Sequence, residues 1–96
     1  MLAELMTEHQ RLAILRLLAE DSGYDLNESI LQDGVNALGL DISRDKLRTE
    51  LAWLKEQGTV LLEQVGSVSV ARLTERGLDV AQGRARIPGI KRPTPK

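Results

Sequence analysis

A group of basic and hydroxyl side chains in the stretch SRDKLRTELAWLKEQGTV, residues 43–60, has the types and spacing of a DNA-contacting helix. When a helix enters a major groove, its early residues approach the base edges. Arginine and lysine bind phosphates and guanine, and threonine makes an adaptable polar contact. The candidates are Arg44, Lys46, Arg48, Thr49 and, one turn further along, Lys55. They predict contact with nucleic acid, and a plain solvated surface is the alternative.

The helical wheel of this stretch separates a core stripe from an outer face. At about 100° per residue, Leu51 and Leu54 each lie within about 40° of Leu47, so these three leucines face the core. The outer face holds Asp45, Thr49, Ala52 and Glu56. One flank holds Arg44, Arg48 and Lys55, and the other holds Lys46, Trp53 and Gln57. Two acids therefore lie where base contacts are expected, and Lys46 and Glu50 have the spacing of an ordinary surface ion pair.

The charge of the chain is divided unevenly along its length. Residues 1–83 hold 14 acidic and 8 basic side chains, a net charge of −6. Residues 84–96 hold five basic side chains and no acid: Arg84, Arg86, Lys91, Arg92 and Lys96. We interpret 84–96 as a flexible, basic, Pro-containing tail. Its cations offer a sequence-independent hold on phosphates, with Arg84, Arg86, Lys91 and Arg92 as the main participants, and a solubilising end is the alternative.

The composition narrows the function classes. With no Cys, the chain has neither disulfides nor thiolate metal sites, and its N-terminal residues lack the apolar run of a signal peptide or membrane span, so we expect a cytoplasmic protein. His9 is the single histidine, and the acidic stretch 21–33 does not have the spacing of a calcium loop. The sequence predicts no enzyme activity, no metal and no cofactor.

The elements that position these residues follow from caps, periodicity and turns. Helices are predicted over residues 8–20, 28–38, 44–57 and 75–83, with Thr7 and Gln10 as a capping box for the first. Whether residues 2–6 extend that helix stays open. A very short strand near Leu26 and a hairpin turning at Gly66-Ser67 complete the order α-(short β)-α-α-β-β-α. The fold class is mainly α with a small antiparallel β-hairpin, and 1–83 is one domain.

This order resembles the winged helix-turn-helix superfamily. The resemblance is carried by ALGLDISRDKLRTELAWLKEQGTV and by the closing segment LTERGLDVAQG. The LNESIL and SRDKLRTELAWL segments, with the basic end, also resemble small uncharacterised winged-helix proteins of Mu-like phages and prophages. The resemblance implies a DNA-binding protein encoded by a phage or prophage, either a transcriptional regulator or another DNA-associated factor.

A second interpretation is a non-enzymatic protein-interaction module, an adaptor in phage gene control, packaging or assembly. Its candidate interface residue is Trp53, because tryptophan is enriched at interface centres, although packing at the edge of the core is the ordinary role of such a side chain. The partners left open are double-stranded DNA, another phage or host protein, and a second copy of the chain. No membrane partner is expected.

Overall fold

The computed structural model describes residues 1–94, and these form four helices and three strands. The helices are α1 (Leu2–Glu20), α2 (Glu28–Ala37), α3 (Arg44–Glu56) and α4 (Glu75–Ala81). The strands are β1 (Asp25–Asn27), β2 (Val60–Val65) and β3 (Val68–Leu73). The predicted order of elements is confirmed, and the result is a small α+β fold.

The three strands form one antiparallel sheet in the order β1-β3-β2. Val65 pairs with Val68 across the two-residue turn Gly66-Ser67, and Gly66 adopts the positive φ of 61° that such a turn needs. The short strand predicted near Leu26 pairs with the outer side of the hairpin, where Leu26 lies opposite Ala71. The sheet therefore has one strand more than the predicted hairpin.

Side-chain caps fix where three of the helices begin. Asn27, Ser43 and Thr74 each accept a hydrogen bond from the backbone N–H three residues further on, at 2.9 to 3.0 Å. Such caps satisfy N–H groups that the first turn of a helix leaves without a partner. The predicted starts of α2, α3 and α4 are thereby confirmed.

Helix α1 begins earlier than predicted. It starts at Leu2, so the predicted capping box of Thr7 and Gln10 is wrong and both residues lie inside the helix. The buried Gln10 donates from Nε2 to the carbonyl oxygen of Leu40 at 2.7 Å, and the Thr7 hydroxyl accepts from Lys46 Nζ at 2.9 Å. These long-range partners replace the local cap, and residues 2–6 extend the helix.

Helix α2 packs closely against α1 at Gly34. A Cβ atom at that position would lie 2.8 Å from Cδ1 of Leu17, which explains a glycine inside a helix. Leu31 and Val35 are buried as predicted, whereas Ile30 and Leu38, predicted on the same apolar side, are both more than half exposed. The buried stripe of α2 is therefore narrower than the sequence indicates.

The hydrophobic core continues past the predicted domain boundary at Gly83. Ile87 and Ile90 are only 4% and 7% exposed, and both belong to the same aliphatic core as Leu15 and Leu54. The structure therefore differs from the division into a domain of residues 1–83 and a flexible tail of 84–96, because two isoleucines of the basic end are buried. Lys96 lies outside the described residues.

Candidate nucleic-acid interface

Helix α3 presents its predicted outer face to solvent. Asp45, Thr49, Ala52 and Glu56 are exposed, and Leu47, Leu51 and Leu54 are buried. Thr49 directs its hydroxyl to the carbonyl oxygen of Asp45 at 3.2 Å. The exposed face is thus acidic at both ends, and the cations of α3 lie at its two flanks.

On one flank, Arg44 and Arg48 are joined by the carboxylate of Glu28, at the first position of α2. Arg48 donates from Nη2 to Oε1 at 2.5 Å and from Nε to Oε1 at 3.1 Å, and Arg44 Nη1 donates to Oε1 at 3.2 Å. The backbone N–H of Ser69 in β3 donates to Oε2 at 3.1 Å. Glu28 is fully buried. Because it lies in α2 and its partners lie in α3 and β3, it joins α2, α3 and the hairpin. We call Glu28, Arg44, Arg48 and Ser69 the Glu28 cluster.

Both arginines of the Glu28 cluster keep part of their surface in solvent. The side chain of Arg48 is 52% exposed and that of Arg44 is 37% exposed. Arg44 is held further by Gln32, whose Oε1 accepts from Nε at 2.7 Å. The cluster fixes the position of two guanidinium groups at the start of α3 without covering them.

The ionised form of Glu28 is strongly favoured. The pKa of Glu28 falls from 4.5 to about 2, mainly because Arg48 donates a hydrogen bond to the carboxylate. Burial raises this pKa, whereas the Ser69 N–H and the charge of Arg48 lower it further. The same hydrogen bond raises the pKa of Arg48. Glu28 therefore stays charged throughout the neutral and mildly acidic range.

On the other flank, a second buried carboxylate holds Lys46. Glu50 accepts from Lys46 Nζ at 2.7 Å and from Arg11 Nε at 2.6 Å. Burial raises the pKa of Glu50, but the hydrogen bonds from Lys46 and Arg11 outweigh it and the pKa is lowered overall. The predicted pair of Lys46 and Glu50 is present, although its acid is buried rather than a surface group. We call Glu50, Arg11 and Lys46 the Glu50 cluster.

Trp53 is half-buried at the edge of the Glu50 cluster. The guanidinium of Arg11 lies 3.6 Å from the centroid of its ring, a cation–π geometry. A Cβ atom at residue 89 would lie 3.1 Å from Cζ2 of the same ring, so Gly89 also packs there. Trp53 thus contacts other residues of the same chain. This is the packing role that the sequence indicates as the alternative to a protein interface.

The remaining predicted cations belong to neither the Glu28 cluster nor the Glu50 cluster. Lys55 is exposed near the end of the helix. Arg84, Arg86 and Arg92 are exposed and Lys91 partly so, and they follow α4 in the chain. Arg84 lies 3.6 Å from Asp79 and contacts Gln82. The hairpin tip, residues 64–69, carries no Lys or Arg.

Two residues of the site, Glu28 and Arg11, were missed at the sequence level, and Glu50 was predicted only as a surface partner of Lys46 and not as a buried acid. Glu50 had a signal, because it lies about 60° from Leu47 on the wheel and therefore at the edge of the core stripe, where an acid needs a partner. Glu28 and Arg11 had none, since their partners are distant in sequence. Within residues 1–94, no three His, Cys, Asp or Glu side chains are grouped so that they could hold a metal ion. Each helix in this range is too short or too polar to span a bilayer.

Comparison with known proteins gives a phage relationship. The chain is 48% identical to the protein "Uncharacterized protein gp26" of Escherichia phage Mu over 96 residues, which cover 100% of this chain and 99% of that protein. It is 51% identical to an uncharacterized protein of Haemophilus influenzae over 76 residues, 78% of this chain and 74% of that one. No family model matches the chain, and no solved structure matches it significantly. At this identity and coverage, the chain belongs to the same family as the gp26 protein of phage Mu.

Proposed function

We propose that the protein binds double-stranded DNA as a winged helix-turn-helix, with α2 and α3 as the helix-turn-helix and the β2–β3 hairpin as the wing. The order of elements and the short link between α2 and α3 support this assignment. In this proposal α3 enters the major groove. The relationship to a phage protein favours a role in phage gene control, as a transcriptional regulator or another DNA-associated factor.

The observation that carries the proposal is the way Glu28 holds Arg48. The carboxylate occupies one edge of the guanidinium, Nε and Nη2. A guanidinium has five N–H groups in a fixed plane, so the edge formed by Nη1 and the second Nη2 hydrogen stays available for a phosphate or for O6 and N7 of guanine. Because Glu28 already orders Arg48, binding would cost less side-chain entropy.

The charges of α3 indicate which part of it would contact which part of DNA. A helix with side chains is about 10–12 Å across and a major groove is about 12 Å wide, so the flanks of a docked helix face the two phosphate backbones. Arg44, Arg48 and Lys55 would lie toward one backbone. Asp45 and Glu56 would face the bases, where a carboxylate can accept from N4 of cytosine.

Fluorescence anisotropy with labelled duplexes of random and phage sequence over a salt series tests this proposal. We expect wild-type protein to bind at low salt and Arg48→Ala to lower the salt slope by about 1 and the affinity by about tenfold. Arg16→Ala is the matched control, since Arg16 is exposed and lies about 140° around α1 from Arg11, away from α3. No binding by wild-type protein, or equal losses in the two variants, would overturn the proposal.

A protein-interaction module is the second candidate, favoured by the apolar surface of α1. Leu2 and Leu5 are exposed, and on the same side of α1 a groove of about 420 Å³ is lined by Leu12, Leu17 and the exposed Leu38. An antiparallel second copy could place each pair of exposed leucines in the groove of the other. In light scattering, Leu5→Glu would then abolish a dimer that Leu61→Glu, an exposed control on β2, retains; a wild-type monomer would exclude this dimer.

A further inference from the structure

Residues 84–92, here called the C-terminal segment, are held against the body of the protein at several points. Ile87 and Ile90 are buried in the core, and the backbone N–H of Lys91 donates to the carbonyl oxygen of Glu8 in α1 at 3.2 Å. The segment thus has a fixed course between the end of α4 and the middle of α1. The backbone that carries its cations is therefore ordered.

A tight turn seats the segment on α3. The N–H of Ile90 donates to the carbonyl oxygen of Ile87 at 3.1 Å, with Pro88 and Gly89 between them. Gly89 has a φ of 96°, and Pro followed by a residue with positive φ is the pattern of a type II turn. A side chain at residue 89 would meet Arg11 Nη1 at 3.0 Å as well as the ring of Trp53, so glycine permits this approach.

Arg11 connects this turn to α3. Its Nη1 donates to the carbonyl oxygen of Gly89 at 2.9 Å, while its Nε donates to Glu50. The same guanidinium stacks on Trp53. The turn is therefore attached to the flank of α3 that carries the Glu50 cluster.

The C-terminal segment and the hairpin lie at opposite flanks of α3 and differ in charge. The hairpin is joined through Ser69 to the Glu28 cluster, and its tip has no cation. The segment carries four cations and no acid: Arg84, Arg86, Lys91 and Arg92. Lys91 and Arg92 line an open cleft of about 480 Å³ beside Gly83 and Thr94, which has room for a phosphate group.

We propose that the docked C-terminal segment, and not the wing, supplies the second phosphate contact, on the backbone opposite the one met by Arg44 and Arg48. This inference rests on the proposed DNA binding. We further infer that the segment must stay docked for DNA to bind. Cations on a released segment would not make the same phosphate contact. The ligand is the phosphate backbone of duplex DNA, and the contact carries no base sequence information.

Two kinds of variant, both made in the full chain, measure separately how the charge of the segment and how its docking affect DNA binding. Arg86→Ala/Arg92→Ala removes two exposed cations and keeps the turn. Gly89→Val keeps every cation but introduces a strained φ and a clash with Trp53, and Ile90→Asp is a second release variant. Circular dichroism reports folding, and emission of Trp53, the single tryptophan, together with tryptic cleavage after Arg86 reports release. Arg16→Ala is again the control for charge.

We expect Arg86→Ala/Arg92→Ala to lower the salt slope by about 2. We expect each release variant, with red-shifted Trp53 emission, to lose at least fivefold in affinity for the same duplex. Released, folded variants that bind like wild type would overturn the inference, as would an unchanged salt slope in the double variant. Either result leaves wild-type binding and its loss in Arg48→Ala intact, whereas failure of the proposed function removes binding by wild type itself.

Discussion

Glu28 and Glu50 are both buried carboxylates that hold cations of α3, yet they connect different numbers of partners. Glu28 receives hydrogen bonds from two arginines of α3 and from a backbone N–H of β3. Glu50 receives Lys46 from its own helix and Arg11 from α1, and Arg11 has further partners in Gly89 and Trp53. One flank of α3 therefore depends on a single acid, while the other is held by several contacts.

The largest effect is expected when the acid of the Glu28 cluster is removed. Glu28→Gln keeps the size of the side chain but leaves Arg44 and Arg48 without a carboxylate, so we expect a loss of about 3 kcal/mol in the free energy of unfolding. Urea denaturation measures it. Glu63→Gln, at an exposed acid of β2, is the control and should change stability by less than about 0.5 kcal/mol. A loss in Glu28→Gln as small as in this control would contradict the prediction.

The second prediction concerns the acid of the Glu50 cluster. We expect Glu50→Gln to cost about 2 kcal/mol, less than Glu28→Gln, because Arg11 retains the Gly89 carbonyl and the Trp53 ring. The same urea denaturation provides the comparison. An equal or larger loss than in Glu28→Gln would mean that the extra partners of Arg11 do not compensate.

The third prediction uses pH to separate the two clusters. Since the pKa of Glu28 in the folded state is about 2 and its ordinary value is 4.5, its ionisation stabilises the protein above pH 4.5 and this contribution is lost as pH falls toward 2. Between pH 5 and 2, wild type should therefore lose about 1.5 kcal/mol more than Glu28→Gln, allowing for the solvent around Arg48. Parallel stability curves for the two proteins would contradict this.

The fourth prediction has the smallest effect and tests the exposed member of the Glu50 cluster. Lys46 is 39% exposed and Glu50 keeps Arg11, so Lys46→Ala should cost about 0.5 kcal/mol. Thermal denaturation of Lys46→Ala and Arg11→Ala measures the difference in stability between the two variants, and we expect the larger loss in Arg11→Ala. If Lys46→Ala proved the more destabilising of the two, the central place of Arg11 would be refuted.

Local signals account for what could be predicted from the sequence. Asn27, Ser43 and Thr74 cap helices through bonds that span three residues, and Gly66 forms its turn with its immediate neighbours. Such contacts depend on nearby residues, so residue type and spacing are sufficient to predict them. The order of elements and the start of α3 follow from them.

Contacts between distant residues account for what could not be predicted. Thr7 and Gln10 have the pattern of a capping box, but their partners lie 39 and 30 residues away. The prolines of the basic end indicate an irregular segment, yet Ile87 and Ile90 are buried in a core formed by residues that are distant from them in sequence. The cations of α3 were predicted as candidates, whereas the role of Glu28 and the burial of Glu50 were not.

The contact between Glu28 and Ser69 has a consequence for the rate at which the protein folds. These residues are 41 positions apart, while the hairpin and the helix caps close over only a few. Because long loops close more slowly than short ones, we expect the local elements to form first and Glu28 to join the hairpin to α2 and α3 late in folding. Loss of this carboxylate would then act mainly by accelerating unfolding, and the lifetime of the native state would depend on it more than the folding rate does.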